Sequence, residues 1–243
     1  MTCKLCGTDK PLCQSHIIPE FVYGPLYNDD NRMMGITGVG GKGWKRVQKG
    51  LRDTLLCRDC EALLNERYEI PFQVHWTRQY PLPAQAQEGD VVQAQFDYTT
   101  FKLFHLSILF RAAVSTDPMF GVVTLNKHEA ILRRMILAAD AGRQDRYPIF
   151  ATALINTHQE IERRVVMAPT LTRIEGHHVY GFVFDGVLWW YSVSSSPHRD
   201  FIDAGLQADG RMAFYVTPWQ QHGVFQRAAQ ALRQPRAVPR PSR

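Results

Sequence analysis

The segments Cys3-Lys4-Leu5-Cys6 and Leu56-Cys57-Arg58-Asp59-Cys60-Glu61 decide the fold of the N-terminal part of this chain. Each contains a Cys-x-x-Cys turn, which presents two thiolates to a tetrahedral metal ion while backbone N–H groups point at the sulfurs. Two such turns complete a four-thiolate structural site, and the glycine-rich insertion over residues 28–50 separates its two halves. The sequence therefore predicts bound Zn²⁺. The predicted ligands are Cys3, Cys6, Cys57 and Cys60.

The composition supports metal binding, rather than disulfide bonding, as the role of these cysteines. The chain has 243 residues, of which 45% are hydrophobic and 21% charged, as in an ordinary globular protein. It has no apolar run as long as a membrane span and no apolar signal core at its N-terminus, so we expect a cytoplasmic protein. Paired cysteines in that compartment indicate metal. The fifth cysteine, Cys13, forms a Cys-x-x-His spacing with His16, and a rival ligand set that uses these two residues stays open.

The charge balance permits binding to nucleic acid without requiring it. The 28 Lys and Arg residues exceed the 23 Asp and Glu residues, for a formal net charge of +5. Basic residues concentrate in the segment 42–52 and in the proline-rich tail from Arg227. We expect the segment to contact phosphates and residues 236–243 to be a disordered tail. The predicted phosphate-binding residues are Lys42, Lys45, Arg46, Lys49 and Arg52.

Hydrophobic patterning predicts a small N-terminal module followed by a larger α+β domain. Prolines and polar residues over 81–90 mark the boundary, which gives a zinc-bound module over 1–80 and an α+β domain over 81–235. Within the larger domain, residues 98–115 are apolar almost all round and predict a buried helix. Residues 126–141 predict a second, amphipathic helix, and residues 221–233 a last one.

Five strand-like runs in the larger domain predict an antiparallel sheet. They cover residues 149–155, 164–174, 178–184, 187–193 and 212–217. Asp185-Gly186 lies between two aromatic-rich runs, and this pair is a strong signal for a two-residue hairpin turn.

The order Cys-x-x-Cys, then Ser15-His16-Ile17-Ile18-Pro19, then Leu56-Cys57-Arg58-Asp59-Cys60-Glu61 resembles the zinc-stapled branch of the HNH, or ββα-metal, nuclease family. The resemblance covers roughly Cys3 to Glu69. It implies a treble-clef-like ββα-metal module within an α+β protein, and hydrolysis of phosphodiester bonds with one divalent cation, Mg²⁺ or Mn²⁺. It also implies a role in bacterial defence or as a toxin.

The resemblance assigns roles to individual residues. His16 matches the general base that takes a proton from water, and Glu61 falls on a ligand position for the catalytic cation. Ser15 stands where the family has an acidic residue or histidine as a second ligand. We expect a helix from Cys57 to about Glu69 that stops before Pro71. On it Asn65 and Glu69 share the face of Glu61 and can supply the missing ligand.

The first expectation is a nuclease that acts on nucleic acid, with DNA as the expected substrate. Two other classes of function stay open. One is a non-catalytic zinc-binding adaptor for nucleic acid or protein, which agrees with Ser15. The other is a regulatory protein whose larger domain binds a protein partner or a small ligand, in an apolar pocket lined by Trp189, Tyr191 or Phe214. Convergence of Glu61 and one further oxygen ligand on His16 would favour the nuclease.

Overall fold

The computed structural model describes residues 1–27, 33–35, 45–47, 50–196 and 198–223. These residues form a mixed α+β structure, as predicted. The helices are α1 (Arg58–Leu64), α2 (Ile70–Arg78), α3 (Tyr98–Val114), α4 (Lys127–Ala138) and α5 (Arg199–Asp203). The strands are β1 (Leu12–His16), β2 (Met33–Gly35), β3 (Lys45–Val47), β4 (Arg52–Cys57), β5 (Val91–Gln95), β6 (Ile149–Ile155), β7 (Met167–Ile174), β8 (His177–Phe184), β9 (Val187–Val193) and β10 (Arg211–Pro218).

The main sheet has six strands in the order β5-β10-β6-β9-β8-β7. All neighbouring pairs are antiparallel except β10 and β6, so the sheet is mixed rather than wholly antiparallel. The β8–β9 hairpin turns at Asp185 and Gly186, whose φ angles are 50° and 79°. These values belong to the type I′ turn that Asp-Gly favours, which confirms the predicted hairpin.

Helix α3 is buried along almost its whole length because it is covered on two sides. Its Phe101 packs against Trp189 of the main sheet, while Phe104 stacks on Phe72 of α2 with ring centroids 3.8 Å apart. The predicted buried helix is therefore confirmed. The larger of two hydrophobic core clusters among the described residues runs from Cys3 to Val216, so α3 links the N-terminal elements to the sheet.

The helix that begins after Cys57 continues beyond the predicted stop at Pro71. Helix α1 passes through a π-helical turn, Asn65–Glu69, into α2, and Pro71 is the second residue of α2. A proline inside a regular α-helix lacks a donor and clashes with the preceding turn. The wider π turn changes the hydrogen-bond pattern immediately before Pro71, so the predicted end of the helix is wrong.

The prediction for the C-terminal helix and tail falls mainly outside the described residues. A 3₁₀ turn covers Trp219–Gln221, and residues 224–243, including the predicted tail 236–243, are not described. The boundary at residue 80 stays a prediction. Across the described part of the chain, no helix is long and apolar enough to cross a membrane.

Candidate metal centre and the His16 cluster

The four cysteines of the two Cys-x-x-Cys turns come together, as the sequence predicts. Their Sγ atoms lie within 4.8 Å of one another. Cys3 and Cys6 lie in the N-terminal turn, Cys57 ends β4, and Cys60 lies in the first turn of α1. Four thiolates at this spacing fit a tetrahedral ion such as Zn²⁺. Cys13 lies in β1 and does not belong to the group.

Backbone geometry shapes the turn that carries the first two cysteines. Gly7 has a φ of 75°, and its N–H donates to Cys3 O at 2.9 Å. Lys4 N–H donates to Leu55 O at 3.0 Å, which fastens the turn to β4, and Cys57 N–H points at Cys3 Sγ at 3.3 Å. Such N–H···S contacts stabilise thiolates, which are the species that a metal binds.

The pKa values of the metal-free thiols shift in opposite directions. The side-chain hydrogen bond with Thr8 lowers the pKa of Cys6 to about 6, although burial opposes it. Burial raises the pKa of Cys57 and of Cys60. A bound divalent cation offsets this cost because it favours the deprotonated thiol, so these four residues suit a metal better than they suit an empty cluster.

The predicted base, His16, lies at the end of β1 in a small polar group that we call the His16 cluster. The cluster consists of His16, Glu20, Tyr27 and Arg52. Glu20 Oε2 is 2.5 Å from His16 Nε2, and Tyr27 Oη donates to Glu20 Oε1 at 2.6 Å. Arg52, the first residue of β4, is the cross-strand partner of His16, so both side chains lie on the same face of the two-stranded sheet. Desolvation raises the pKa of Tyr27, and the charge of Arg52 opposes that rise.

Glu61 contacts Ser15 rather than His16. The fully buried Ser15 hydroxyl donates to Glu61 Oε1 and accepts from Leu56 N–H at 3.2 Å. Successive side chains of a strand point to opposite faces, which separates the contact of Ser15 from that of His16. Strand β4 is antiparallel to β1 and leads directly into α1. The two positions that the resemblance assigns to the cation therefore lie close together, and their side chains form a hydrogen bond.

The other predicted catalytic residues do not complete a second metal site among the described residues. Asn65 is exposed at the start of the π turn, and Glu69 Oε1 is 2.7 Å from Arg111 Nη1. In the described part of the chain, the four cysteines are the one group of three or more histidine, cysteine or acidic ligands. The donor set for Mg²⁺ or Mn²⁺ that the resemblance implies is therefore incomplete there.

The structure places only part of the basic segment. Arg52 is in the His16 cluster, and Lys45 and Arg46 belong to β3, whose side chains are not described. Lys42 and Lys49 lie outside the described residues. Binding of phosphate by these five residues stays a prediction.

Arg111 of α3 reaches the His16 cluster from the other side, and the sequence analysis assigned it no role. Its side chain is 1% exposed. Nη1 donates to His16 O at 2.7 Å, and the guanidinium also contacts Glu69 and Ser107. The signal was an arginine inside a helix that is apolar almost all round, because a buried charge requires partners.

The fold and the site define a class: a mixed α+β protein whose N-terminal part carries a four-thiol centre for a metal ion such as zinc. A more particular identity does not come from similarity. No protein-family model, curated protein or solved structure matches this chain significantly.

Proposed function

We propose that the N-terminal part of this protein is a zinc-stapled nuclease module that hydrolyses phosphodiester bonds of nucleic acid, with His16 as the general base. The observation that supports it is the His16 cluster. It joins a histidine, a carboxylate and an arginine, and His16 and Arg52 are paired residues of adjacent strands although they are distant in sequence.

Each member of the His16 cluster has a chemical task in this proposal. The Glu20 carboxylate orients the imidazole and stabilises the imidazolium that forms when His16 takes a proton from water. Tyr27 holds the other oxygen of Glu20, which limits the rotation of the carboxylate. The Arg52 guanidinium, on the same face as His16, suits a phosphate oxygen because its planar array of donors matches that geometry.

The zinc ion has a structural task in this proposal. Four thiolates fill the tetrahedron and leave no open position for water or substrate, which is typical of structural zinc. The ion would connect the N-terminal turn to the junction of β4 and α1, and so maintain the pairing of β4 with β1 that brings Arg52 opposite His16. The resemblance implies a further cation, but its donor set is incomplete among the described residues.

A specific observation favours a second candidate, the non-catalytic zinc-binding adaptor. Ser15 and Glu61 occupy the positions that the resemblance gives to the catalytic cation, and they bond to each other in a partly buried setting. A hydrated cation there would have to break this hydrogen bond and enter beside a fully buried hydroxyl. An adaptor would keep the zinc scaffold and bind nucleic acid or protein without cutting.

Cleavage of supercoiled plasmid DNA, with Mg²⁺, Mn²⁺ or EDTA, separates the two candidates. We expect the wild type to cut, His16→Ala to abolish cutting, and Glu20→Gln to slow it about 10-fold or more, because general base catalysis is typically worth about 10²–10⁴-fold. The control is His158→Ala, which removes an exposed histidine outside the module. Zinc content by metal analysis must equal that of the wild type in every variant.

The outcomes are distinguishable. Cutting that persists in His16→Ala would refute the proposed base. Absence of cutting by zinc-loaded wild type on DNA and RNA, together with a mobility shift of either nucleic acid, would favour the adaptor. A function in defence or as a toxin would follow only from cutting in cells, measured as loss of phage or host DNA.

A further inference from the structure

A cleft in the larger part of the chain lies far along the sequence from the zinc centre. It has a volume of about 480 Å³. Its walls come from the first turns of α4, from the loop that precedes β6, and from the residues after β9. The side chains used below are His128, Arg146, Tyr147, Ser194 and Ser195. The volume is within the range of about 300–1,000 Å³ that is usual for small-molecule sites.

The lining of the cleft is rich in hydrogen-bond donors and cations. Its acidic residue, Asp145, is engaged by Arg143 through contacts of 3.0 and 3.2 Å. Arg146 lies over the Tyr147 ring, at 5.8 Å from its centroid, and pairs with no carboxylate among the described residues. One guanidinium of the cleft is therefore neutralised and the other is not.

An imidazole and one serine hydroxyl complete the set of polar groups in the cleft. His128 Nδ1 is 2.9 Å from Tyr147 Oη. Burial first, and then the charges of Lys127 and Arg146, lower the pKa of His128. Ser194 Oγ donates to Ser196 O at 3.1 Å, so the hydroxyl that the cleft offers to a ligand is that of Ser195, which is exposed at the rim.

The loop that carries Arg146 is held in one conformation by buried groups. Tyr147 is 2% exposed and has a φ of 53°, which is unfavourable for a residue with a Cβ atom. Two side chains of α3 hold the loop: Tyr98 Oη donates to Gly142 O at 2.9 Å, and Lys102 Nζ donates to Arg143 O at 2.6 Å. Lys102 itself is 1% exposed. An exposed loop with no function needs neither a strained backbone nor a buried lysine to hold it. Backbone strain of this kind is concentrated at functional sites.

We propose that this cleft binds the phosphate group of a small phosphate monoester of about nucleotide size. A phosphate monoester presents three terminal oxygens and a double negative charge. The cleft offers the Arg146 guanidinium, the His128 imidazole and the Ser195 hydroxyl from three separate segments, which suits several oxygens rather than the two of a carboxylate. Because the loop is already ordered, little conformational entropy opposes binding. The proposal does not depend on the nuclease proposal.

Isothermal titration calorimetry on the full, zinc-loaded chain tests this site. The probes are inorganic phosphate, adenosine 5′-monophosphate and adenosine, and the variant is Arg146→Gln. Arg134→Gln is the matched control, since it removes the same charge from an exposed position of α4 that does not line the cleft. We expect the monophosphate to bind more tightly than phosphate and adenosine not to bind. Arg146→Gln should weaken binding about 10-fold or more, as expected for loss of a charge-assisted hydrogen bond.

Three results would overturn the proposal. The first is no binding of either phosphate or the monophosphate at millimolar concentration. The second is equal weakening by Arg146→Gln and Arg134→Gln, which would indicate nonspecific attraction to a basic protein. The third is adenosine binding as tightly as the monophosphate, which would mean that the cleft does not recognise the phosphate group.

Far-UV circular dichroism of each variant must match that of the wild type. Arg146→Lys serves as a second variant that retains the charge but lacks the planar guanidinium.

Discussion

Replacement of Arg111 by methionine tests how the N-terminal part of the chain is attached to the rest. Arg111 is 1% exposed, its Nη1 lies 2.7 Å from Glu69 Oε1, and it donates to His16 O at 2.7 Å. Removing one member of a buried ion pair leaves the other charge without compensation, which costs about 3–5 kcal/mol. We therefore expect Arg111→Met to lower the free energy of unfolding by about 4 kcal/mol, or the melting temperature by about 8–16 °C.

Urea unfolding followed by far-UV circular dichroism, with zinc in excess, measures this effect. Arg133→Met is the matched control, because its ion pair with Glu129 is partly exposed and should contribute less than about 1 kcal/mol. The variants Glu69→Gln and Arg111→Met/Glu69→Gln complete a double-mutant cycle. We expect the double variant to lose about 1–3 kcal/mol less than the sum of the two single variants.

An Arg111→Met cost no larger than that of Arg133→Met would contradict this prediction, and so would additive effects of Arg111→Met and Glu69→Gln. Either result would mean that the ion pair does not hold α3 against the π turn of the N-terminal helix. The hydrogen bond from Arg111 to the His16 carbonyl would then contribute little to the free energy of unfolding.

Two further predictions concern the metal and a buried lysine. Cys60→Ser should lose most of its zinc by metal analysis and melt at a lower temperature, whereas Cys13→Ser should keep one zinc per chain; zinc loss from the second variant would restore the rival ligand set. Burial lowers the pKa of Lys102 to about 7, so the unfolded chain binds the proton more tightly than the folded chain between about pH 7 and 10. The free energy of unfolding should therefore rise with pH across this window in the wild type, and less in Lys102→Met, when urea unfolding is compared at pH 7 and pH 9. Equal pH dependence in the two proteins would contradict it.

Local signals in the sequence were sufficient to predict much of the secondary structure in the larger part of the chain. The apolar run over residues 98–115 predicted α3 because a helix covered on two sides has no polar face. The Asp185-Gly186 pair predicted its turn because both residues tolerate the positive φ that a type I′ turn requires. The helix end at Pro71 was predicted wrongly, because a π turn before a proline leaves no local signal that outweighs the proline itself.

The sequence predicted the location of the metal centre better than the surroundings of His16. A Cys-x-x-Cys turn fixes two ligands by its own geometry, so pairing two such turns required little knowledge of the fold. The contacts of His16 involve three separate segments. Glu20 follows His16 by four residues, Arg52 lies opposite His16 on β4, and Arg111 contacts the His16 carbonyl from α3.

Residue spacing within short segments was enough to predict the α+β class, the principal helices and strands of the larger part of the chain, and the four cysteines that meet. The tertiary structure decided that Glu61 bonds to Ser15, that Arg52 faces His16, and that the loop before β6 forms a cleft with α4 and the end of β9. These pairings depend on strand register and on how α3 packs between two layers. Both are set by burial of the whole core and not by any one segment.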